Sequence, residues 1–363
     1  MQTIKAAVCH AFGEDLKIED IQIRAPEMGE VEVTLDAVAI CHSDISYAGG
    51  AWGGSLPAVY GHEAAGLVSD VGAGVTGLAV GDSVVVTLIR ACGTCPSCAG
   101  GTPTNCETPY DGDHGPIKTA DGGKLHQAMA TGGFAEKVVV DQRQLVKISP
   151  DIPKDVASLI ACGVITGVGA VVNSAGLRAG QDVVVIGAGG VGLNAIQGAR
   201  IAGARRIIAV DMSEEKLEIA KEFGATHGVS GTSEKPWRAS YKALGGRGAD
   251  AVIVTVGAIP AYEQAPKYLG RGGKVIMVGM PHSGAMAEFE PVMLAAVGQG
   301  MIGSKMGDVV IQRDIPWMVD LYTQGRLKLD ELISGRWSLE QINEAIADTK
   351  TGAARRNVIV FKR

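Results

Sequence analysis

The sequence predicts an α/β protein of two domains, a doubly wound parallel sheet and a mainly antiparallel β domain. Three observations carry that expectation. Residues 183–186 form an unbroken apolar run, followed at once by a glycine-rich turn and then by small and aliphatic residues at helical spacing. The first 40 residues alternate polar and apolar, the pattern of half-buried strands. At 363 residues the chain exceeds one ordinary core, so about two domains are expected.

Composition narrows the class. Hydrophobic residues make up 46%, with 51 glycines and only 5 phenylalanines, which suits a core of valine, alanine and glycine. Thirty-three basic against 39 acidic residues leave a net charge of −6, which argues against nucleic acid or an anionic membrane as partner. The opening MQTIKAAVCHAFGEDLKIED is charged throughout and lacks an apolar signal core. The longest apolar run, 159–172, is interrupted by glycines and is too short to span a bilayer. A cytoplasmic protein is expected. Seven cysteines, an odd number with four tightly bunched, fit metal ligation in a reducing compartment better than a disulfide framework.

Along the chain, turns at Phe12-Gly13 and Ala25-Pro26 punctuate the first strands, and 31–40 is the clearest of them. Cys41-His42-Ser43-Asp44 follows, and beyond a loop with Trp52 comes GHEAAGLVSDVGAGV, from Gly61 to Val75. Cys92-x2-Cys95-x2-Cys98-x7-Cys106 is the strongest local signal. Four thiolates on a compact lobe saturate a tetrahedral zinc and leave no place for water, so the site is structural. An iron–sulfur cluster or two disulfides are the rivals, and the spacing matches no ferredoxin pattern. A long polar connection, 107–133, holds His114 and His126, read as surface residues. Strand 183–186 then leads into Gly187-Ala188-Gly189-Gly190-Val191-Gly192, a helix to about Gly203, and a strand 207–210 that ends on Asp211.

Each glycine of that turn has a job in dinucleotide binding. Gly187 permits the tight turn, Gly189 lets a pyrophosphate approach the backbone, and Gly192 lets helix and strand pack closely. Gly190 and Val191 open the helix, whose free N–H groups and dipole face the phosphates. Asp211 lies 19 residues past Gly192, where a carboxylate accepts from the ribose hydroxyls and repels a 2′-phosphate, favouring NAD over NADP. Further strands are expected at 251–256, 274–278 and 301–304, helices at 315–324 and 339–348, and a last strand at 357–361. Val278 and Met280 then fall at a strand's carboxyl end, where a nicotinamide would sit.

With these motifs in place, the chain resembles, end to end, the zinc-dependent alcohol dehydrogenases of the medium-chain dehydrogenase/reductase superfamily. The resemblance implies a GroES-like catalytic domain in residues 1–163, a Rossmann domain in 164–305 and a return to the catalytic domain in 306–363. It implies a catalytic zinc on Cys41, His62 and Cys162 with Glu63 nearby, and a structural zinc on Cys92, Cys95, Cys98 and Cys106, two per chain. Two thiolates and one imidazole leave an open position, as a catalytic zinc needs. The cofactor implied is NAD, with Thr166 beside the nicotinamide, Lys216 at the adenosine ribose, and His42 and Arg356 at the pyrophosphate. For Arg356 the bland alternative is a solvated cluster with Arg355. Ser43 would take the alcohol proton and pass it through a ribose hydroxyl while hydride goes to NAD. Family members often complete that relay with a histidine where this chain has Ser46, so water or His42 would have to serve. Asp44 is read as structural, and Trp52 as a pocket wall or an exposed loop residue.

The expected substrate is a primary or simple secondary alcohol, or the matching aldehyde or ketone. The alternatives are a thiol adduct of formaldehyde, then a polyol. A cofactor-binding protein without turnover is disfavoured by the intact ligand set. The length of the 107–133 connection resembles that of dimeric members, so a homodimer is expected, with a tetramer as the alternative.

Overall fold

A computed structural model describes residues 1–362. The chain forms two compact units, one from Met1–Cys162, Val310–Gly325 and Leu329–Arg363, the other from Gly163–Val309 with Arg326–Lys328.

The second unit is built on a six-stranded, all-parallel sheet. Taken in chain order its strands are Asp182–Ile186, Arg206–Asp211, His227–Ser230, Ala249–Val254, Leu269–Met277 and Gly300–Gly303. Their spatial order is third, second, first, fourth, fifth, sixth, the Rossmann arrangement. The first strand is buried at every residue, which is why the sequence shows an unbroken apolar run there and no alternation. The chain reverses its direction of sheet growth between the first and fourth strands, and the glycine-rich turn lies at that switch. Strand four ends at Val254, two residues earlier than expected, because Thr255 turns its hydroxyl onto the carbonyls of Ile186 and Gly187, 3.0 Å from each.

The first unit holds two sheets. In the smaller, Ile117–Thr119, Lys17–Ile23, Gln2–Cys9, Ala58–Val59 and His126–Gln127 lie side by side. In the larger, the order is Leu145–Lys147, Ser83–Val86, Glu63–Val71, Glu30–Ala39, Arg356–Val360 and Ile333–Trp337, with Lys137–Asp141 also paired to Glu30–Ala39. One continuous core, mostly valine, isoleucine and leucine and including Phe134 and Tyr60, draws on strands of both. The helix expected at 315–324 begins earlier, at Ile311, and runs through Pro316, whose ring removes the N–H that would otherwise bond back to the Gln312 carbonyl. That expected at 339–348 splits into a 3₁₀ turn, Leu339–Gln341, and a helix, Ile342–Lys350.

The apolar run that looked too short for a bilayer belongs to a longer helix, Lys154–Ser174, of 21 residues. Most of its apolar window is buried inside the protein, so it is a core helix.

The glycine turn separates two kinds of constraint. A Cβ on Gly192 would lie 1.8 Å from the Gly187 carbonyl oxygen, so Gly192→Ala must force helix and turn apart. We expect it to cost about 3 kcal/mol in chemical denaturation. A Cβ on Gly189 meets nothing within 4 Å and its φ is −79°, so Gly189→Ala should leave the unfolding midpoint unchanged while weakening dinucleotide binding.

Candidate active site and metal centres

The larger sheet of the first unit brings three distant segments to one end by register alone. Ala39 lies opposite Glu63 on one neighbour and opposite Val358 on the other. The residue pair 40 and 357 is joined by a hydrogen bond from Ile40 N to the Asn357 carbonyl, 2.9 Å. Cys41, His62-Glu63 and Arg356 therefore converge just past the strand ends. Cys162 arrives on the helix, in a segment locally widened to a π turn over Ile160–Val164, a distortion common at functional sites.

The donor atoms of Cys41, His62, Glu63 and Cys162 all lie within 4.8 Å of one another, and all four residues are buried. Zinc bonds of about 2.0–2.3 Å require just such spacing between ligands. His62 supplies the sharpest test of fit. Its Nδ1 is 2.9 Å from Asp44 Oδ1, while Nε2 is buried with no hydrogen-bond partner. A buried nitrogen left unpaired beside two cysteines is what a metal ligand looks like, with Asp44 fixing the tautomer. Asp44, 1% exposed, also accepts from Gly61 N at 2.9 Å and from Cys41 N at 3.1 Å. One carboxylate thus orients both Cys41 and His62. Among these side chains a hydrogen bond from Cys162, together with His62, holds the Cys41 thiol well below its usual value. The cage is ready to present a thiolate.

Glu63 and Arg356 form a second buried pair. Arg356 Nη1 donates to Glu63 Oε1 at 3.2 Å and to the Ile40 carbonyl at 3.4 Å. Burial pushes the Glu63 carboxyl up to about 8, with Arg356 opposing the shift. The sequence reading set Arg356 at a pyrophosphate or in a solvated basic cluster. At 5% exposure it is not solvated, and Nη1 is committed beside the metal ligands because register sets residue 356 opposite 41. His42 opens the helix His42–Ala48 and is exposed; Ser43, next on it, is half-buried. Trp52 is half-buried and packs edge-on against Tyr47, ring centroids 5.0 Å apart.

The four-cysteine lobe is equally explicit. Cys92, Cys95, Cys98 and Cys106 place their sulfurs within 4.8 Å of one another. Sulfur pairs Cys92–Cys98 and Cys95–Cys106 are 4.0 Å apart, twice a disulfide length and close to the edge of a tetrahedral zinc–sulfur site. Backbone N–H groups point at the sulfurs, among them Cys95 N to Cys92 at 3.2 Å and Cys92 N to Cys106 at 3.3 Å. Such donors stabilise thiolates. His114 is exposed and bonded to Asp111, and neither it nor His126 joins either cluster.

In the second unit, Asp211 closes its strand with both oxygens engaged. Oδ2 accepts from Ala188 N at 2.7 Å, inside the glycine turn, and Oδ1 from Ser213 N at 3.0 Å. Gly189 caps the helix Gly190–Ile201, which carries Val191 and Gly192 in its first turn. Lys216 is half-buried on the helix Glu214–Phe223, its N–H capped by Ser213 Oγ. Thr166 is buried, with Oγ1 3.8 Å from Met306 Sδ. Val278 N donates to the Val254 carbonyl at 3.0 Å, and Met280 beyond it is 60% exposed. A Cβ on Gly189 would stand in open space, the cradle a phosphate needs.

Comparison with known proteins agrees with this geometry. Residues 190–324 match the zinc-binding dehydrogenase family, and 27–154 match the alcohol dehydrogenase GroES-like domain. An NDMA-dependent alcohol dehydrogenase of Amycolatopsis methanolica is 36% identical, over 98% of this chain and 98% of its own. The solved alcohol dehydrogenase zinc-binding domain protein from Burkholderia ambifaria superposes with a TM-score of 0.95 at 37% identity, covering 100% of both chains. Benzyl alcohol dehydrogenase from Acinetobacter calcoaceticus gives 0.93 at 31% identity, again over 100% of both chains. The fold and site define a zinc-binding oxidoreductase of two units, one GroES-like and one Rossmann. This chain belongs to the zinc-dependent alcohol dehydrogenases of the medium-chain dehydrogenase/reductase superfamily.

The sequence reading passed over Asp44 as structural and missed the Glu63–Arg356 pair. Only spacing could have signalled the first, since Asp44 stands one helical turn from Cys41. Replacing Asp44 by Asn removes the charge that orients His62, so zinc affinity at Cys41, His62 and Cys162 should fall about 10- to 100-fold. Competition with a chelator of known affinity checks this, and zinc in the four-cysteine lobe should be unaffected.

Proposed function

We propose that this enzyme reversibly oxidises primary or simple secondary alcohols to aldehydes or ketones, with NAD as hydride acceptor. The observation that carries the reading is the buried Cys41, His62, Glu63 and Cys162 cage with its orphaned imidazole nitrogen. Zinc there would supply Lewis-acid stabilisation of an alkoxide, and the nicotinamide would accept hydride. The protein's own part is positional. Cys41, His62 and Cys162 hold the metal, and Asp44 holds two of them. Glu63, neutralised in part by Arg356, sits where it can displace a labile ligand. Ser43, two residues past Cys41, takes the alcohol proton, and with Ser46 in place of a histidine the proton leaves through water or His42. Gly187, Gly189, Gly190, Val191 and Gly192 cradle the pyrophosphate. Thr166, Val278 and Met280 border the nicotinamide, and Lys216 the ribose. Asp211 favours NAD because a 2′-phosphate would meet its carboxylate.

A thiol adduct of formaldehyde is the second substrate reading, supported by the long 107–133 connection. The zinc content and NADH absorbance of one preparation separate the two. Two zinc ions per chain and turnover of ethanol or benzyl alcohol alone are expected. Turnover confined to formaldehyde with glutathione would favour the second reading, and NDMA should be tried as acceptor because a relative's name carries it.

The same unit supports a homodimer. Gly300–Gly303 is an outer strand, paired on one side only among the described residues. In the chain leading to it, Met280, Met286, Phe289, Val292 and Met293 are exposed, as is Ile302 within it. An open edge with apolar surroundings is a pairing site. Light scattering should give twice the chain mass, and Ile302→Glu should give a monomer. A native monomer would reject the assignment.

A further inference from the structure

The segment from Gln127 to Phe134 carries an unusual amount of constraint for a loop. Met129 and Ala130 both lie in the left-handed region, at φ 51° and 52°, which two successive non-glycine residues rarely share. Such strain persists only where its surroundings over-determine it. Here three polar side chains do so. Gln127, 5% exposed, donates from Nε2 to the carbonyls of Thr131 at 2.9 Å and Val139 at 3.0 Å. Gln144 donates to the Ala130 carbonyl at 3.0 Å and the Thr87 carbonyl at 2.9 Å. Thr131 Oγ1 donates to the Met129 carbonyl at 3.0 Å.

Both ends of this turn lead to metal ligands. On one side, Gly133 N donates to the Gly61 carbonyl at 2.7 Å and Phe134 N to that of Tyr60 at 2.8 Å. Gly61 directly precedes His62, and its own N–H is held by Asp44. On the other side, Gln127 Oε1 accepts the Tyr110 hydroxyl at 2.6 Å. Tyr110 is four residues past Cys106, with Arg90 over its ring and Arg90 Nη1 bonded to the Pro109 carbonyl at 3.1 Å. Glu107, between them, accepts from Ser97 N at 3.1 Å and Ser97 Oγ at 2.6 Å and points its own N–H at the Cys95 sulfur, 3.5 Å. Short chain segments and hydrogen bonds thus run without a break from the four-cysteine lobe to the catalytic histidine.

We propose that Tyr110 and Gln127 are positioning residues for the reaction, carrying the order of the four-cysteine lobe through the Met129–Ala130 turn to the segment that presents His62. The inference rests on Cys41, His62 and Cys162 being the catalytic metal cage. Gln127 uses both amide donors and its oxygen in this role, so it cannot be exchanged for Glu, which has no donors to give two carbonyls.

The test uses the zinc-replete enzyme and Tyr110→Phe, which deletes one oxygen. Hydrogen exchange at the amides of Gly133 and Phe134 should quicken about fivefold, the loss of one net hydrogen bond, while the strand Arg356–Val360 stays unchanged. A chelator should withdraw the zinc whose loss ends turnover about fivefold faster, and KM for the alcohol should rise with kcat nearly constant. Glu107→Ala, which removes the acceptor at the other end of the path, should act in the same direction, and the double variant should be no worse than the more affected single. Exchange and zinc release in Tyr110→Phe equal to native would overturn the proposal, as would additive effects of the two substitutions. A native enzyme with zinc in the lobe and none in the cage would instead show the cage reading itself to be wrong, and the proposal would fall with it.

Discussion

Three of the four segments that meet at the metal cage are placed by the register of one strand, Glu30–Ala39, and only Cys162 comes on a helix. That strand pairs with Glu63–Val71 on one side and Arg356–Val360 on the other, so Cys41, His62-Glu63 and Arg356 emerge at the same level. Side chains alternate with a period of two, so a slip of one residue on either side would turn the donors to the wrong face. Burial forbids that slip. Val31, Val33 and Leu35 are almost fully buried, and a slip that put Thr34 and Asp36 in their place would carry polar groups into the core. Hydrophobic packing fixes the register, and the register builds the metal cage.

That cage is held by buried charge, which must be paired to be tolerated. Asp44 is matched by His62 and two backbone N–H groups, Glu63 by Arg356. The atoms left over are informative. His62 Nε2, Glu63 Oε2 and Arg356 Nη2 are buried and have no hydrogen-bond partner. Three such atoms in one place mark a centre organised around something charged, and a zinc held by Cys41, His62 and Cys162 would satisfy the first of them. The four-cysteine lobe solves a different problem. Its four sulfurs, half-exposed and met by backbone N–H groups, would fill every position of a tetrahedral zinc and leave none open.

Much of this was legible in the sequence, for a physical reason. The dinucleotide turn, the cysteine lobe and the GHE segment each demand particular residue types at short fixed spacings, and such spacings survive in a linear string. The parallel sheet was readable because a strand buried on both faces writes a continuous apolar run. The Glu63–Arg356 contact was not readable, because the two residues are 293 apart in the chain and only strand pairing brings them together. The Met129–Ala130 turn was invisible for the opposite reason. Nothing in two ordinary apolar residues announces a left-handed backbone, since the side chains that impose it, Gln127, Thr131 and Gln144, are not those of the two residues themselves. Asp44 was seen and undervalued, because a carboxylate one turn into a helix reads as a cap until the histidine it also serves is found.

The strand Arg356–Val360 has one more consequence. The second unit, Gly163–Val309 apart from three residues, is nearly continuous in the chain, and all six of its parallel strands lie within that span. The first unit closes only when a strand encoded far downstream returns to lie beside Glu30–Ala39. On a ribosome adding about 5–20 residues each second, that interval lasts many seconds. Throughout it Cys41 and His62 have left the ribosome, yet the arginine that shields Glu63 has not been made. The nucleotide-binding unit can therefore fold first during synthesis, and the catalytic centre is the last part of the enzyme to become whole.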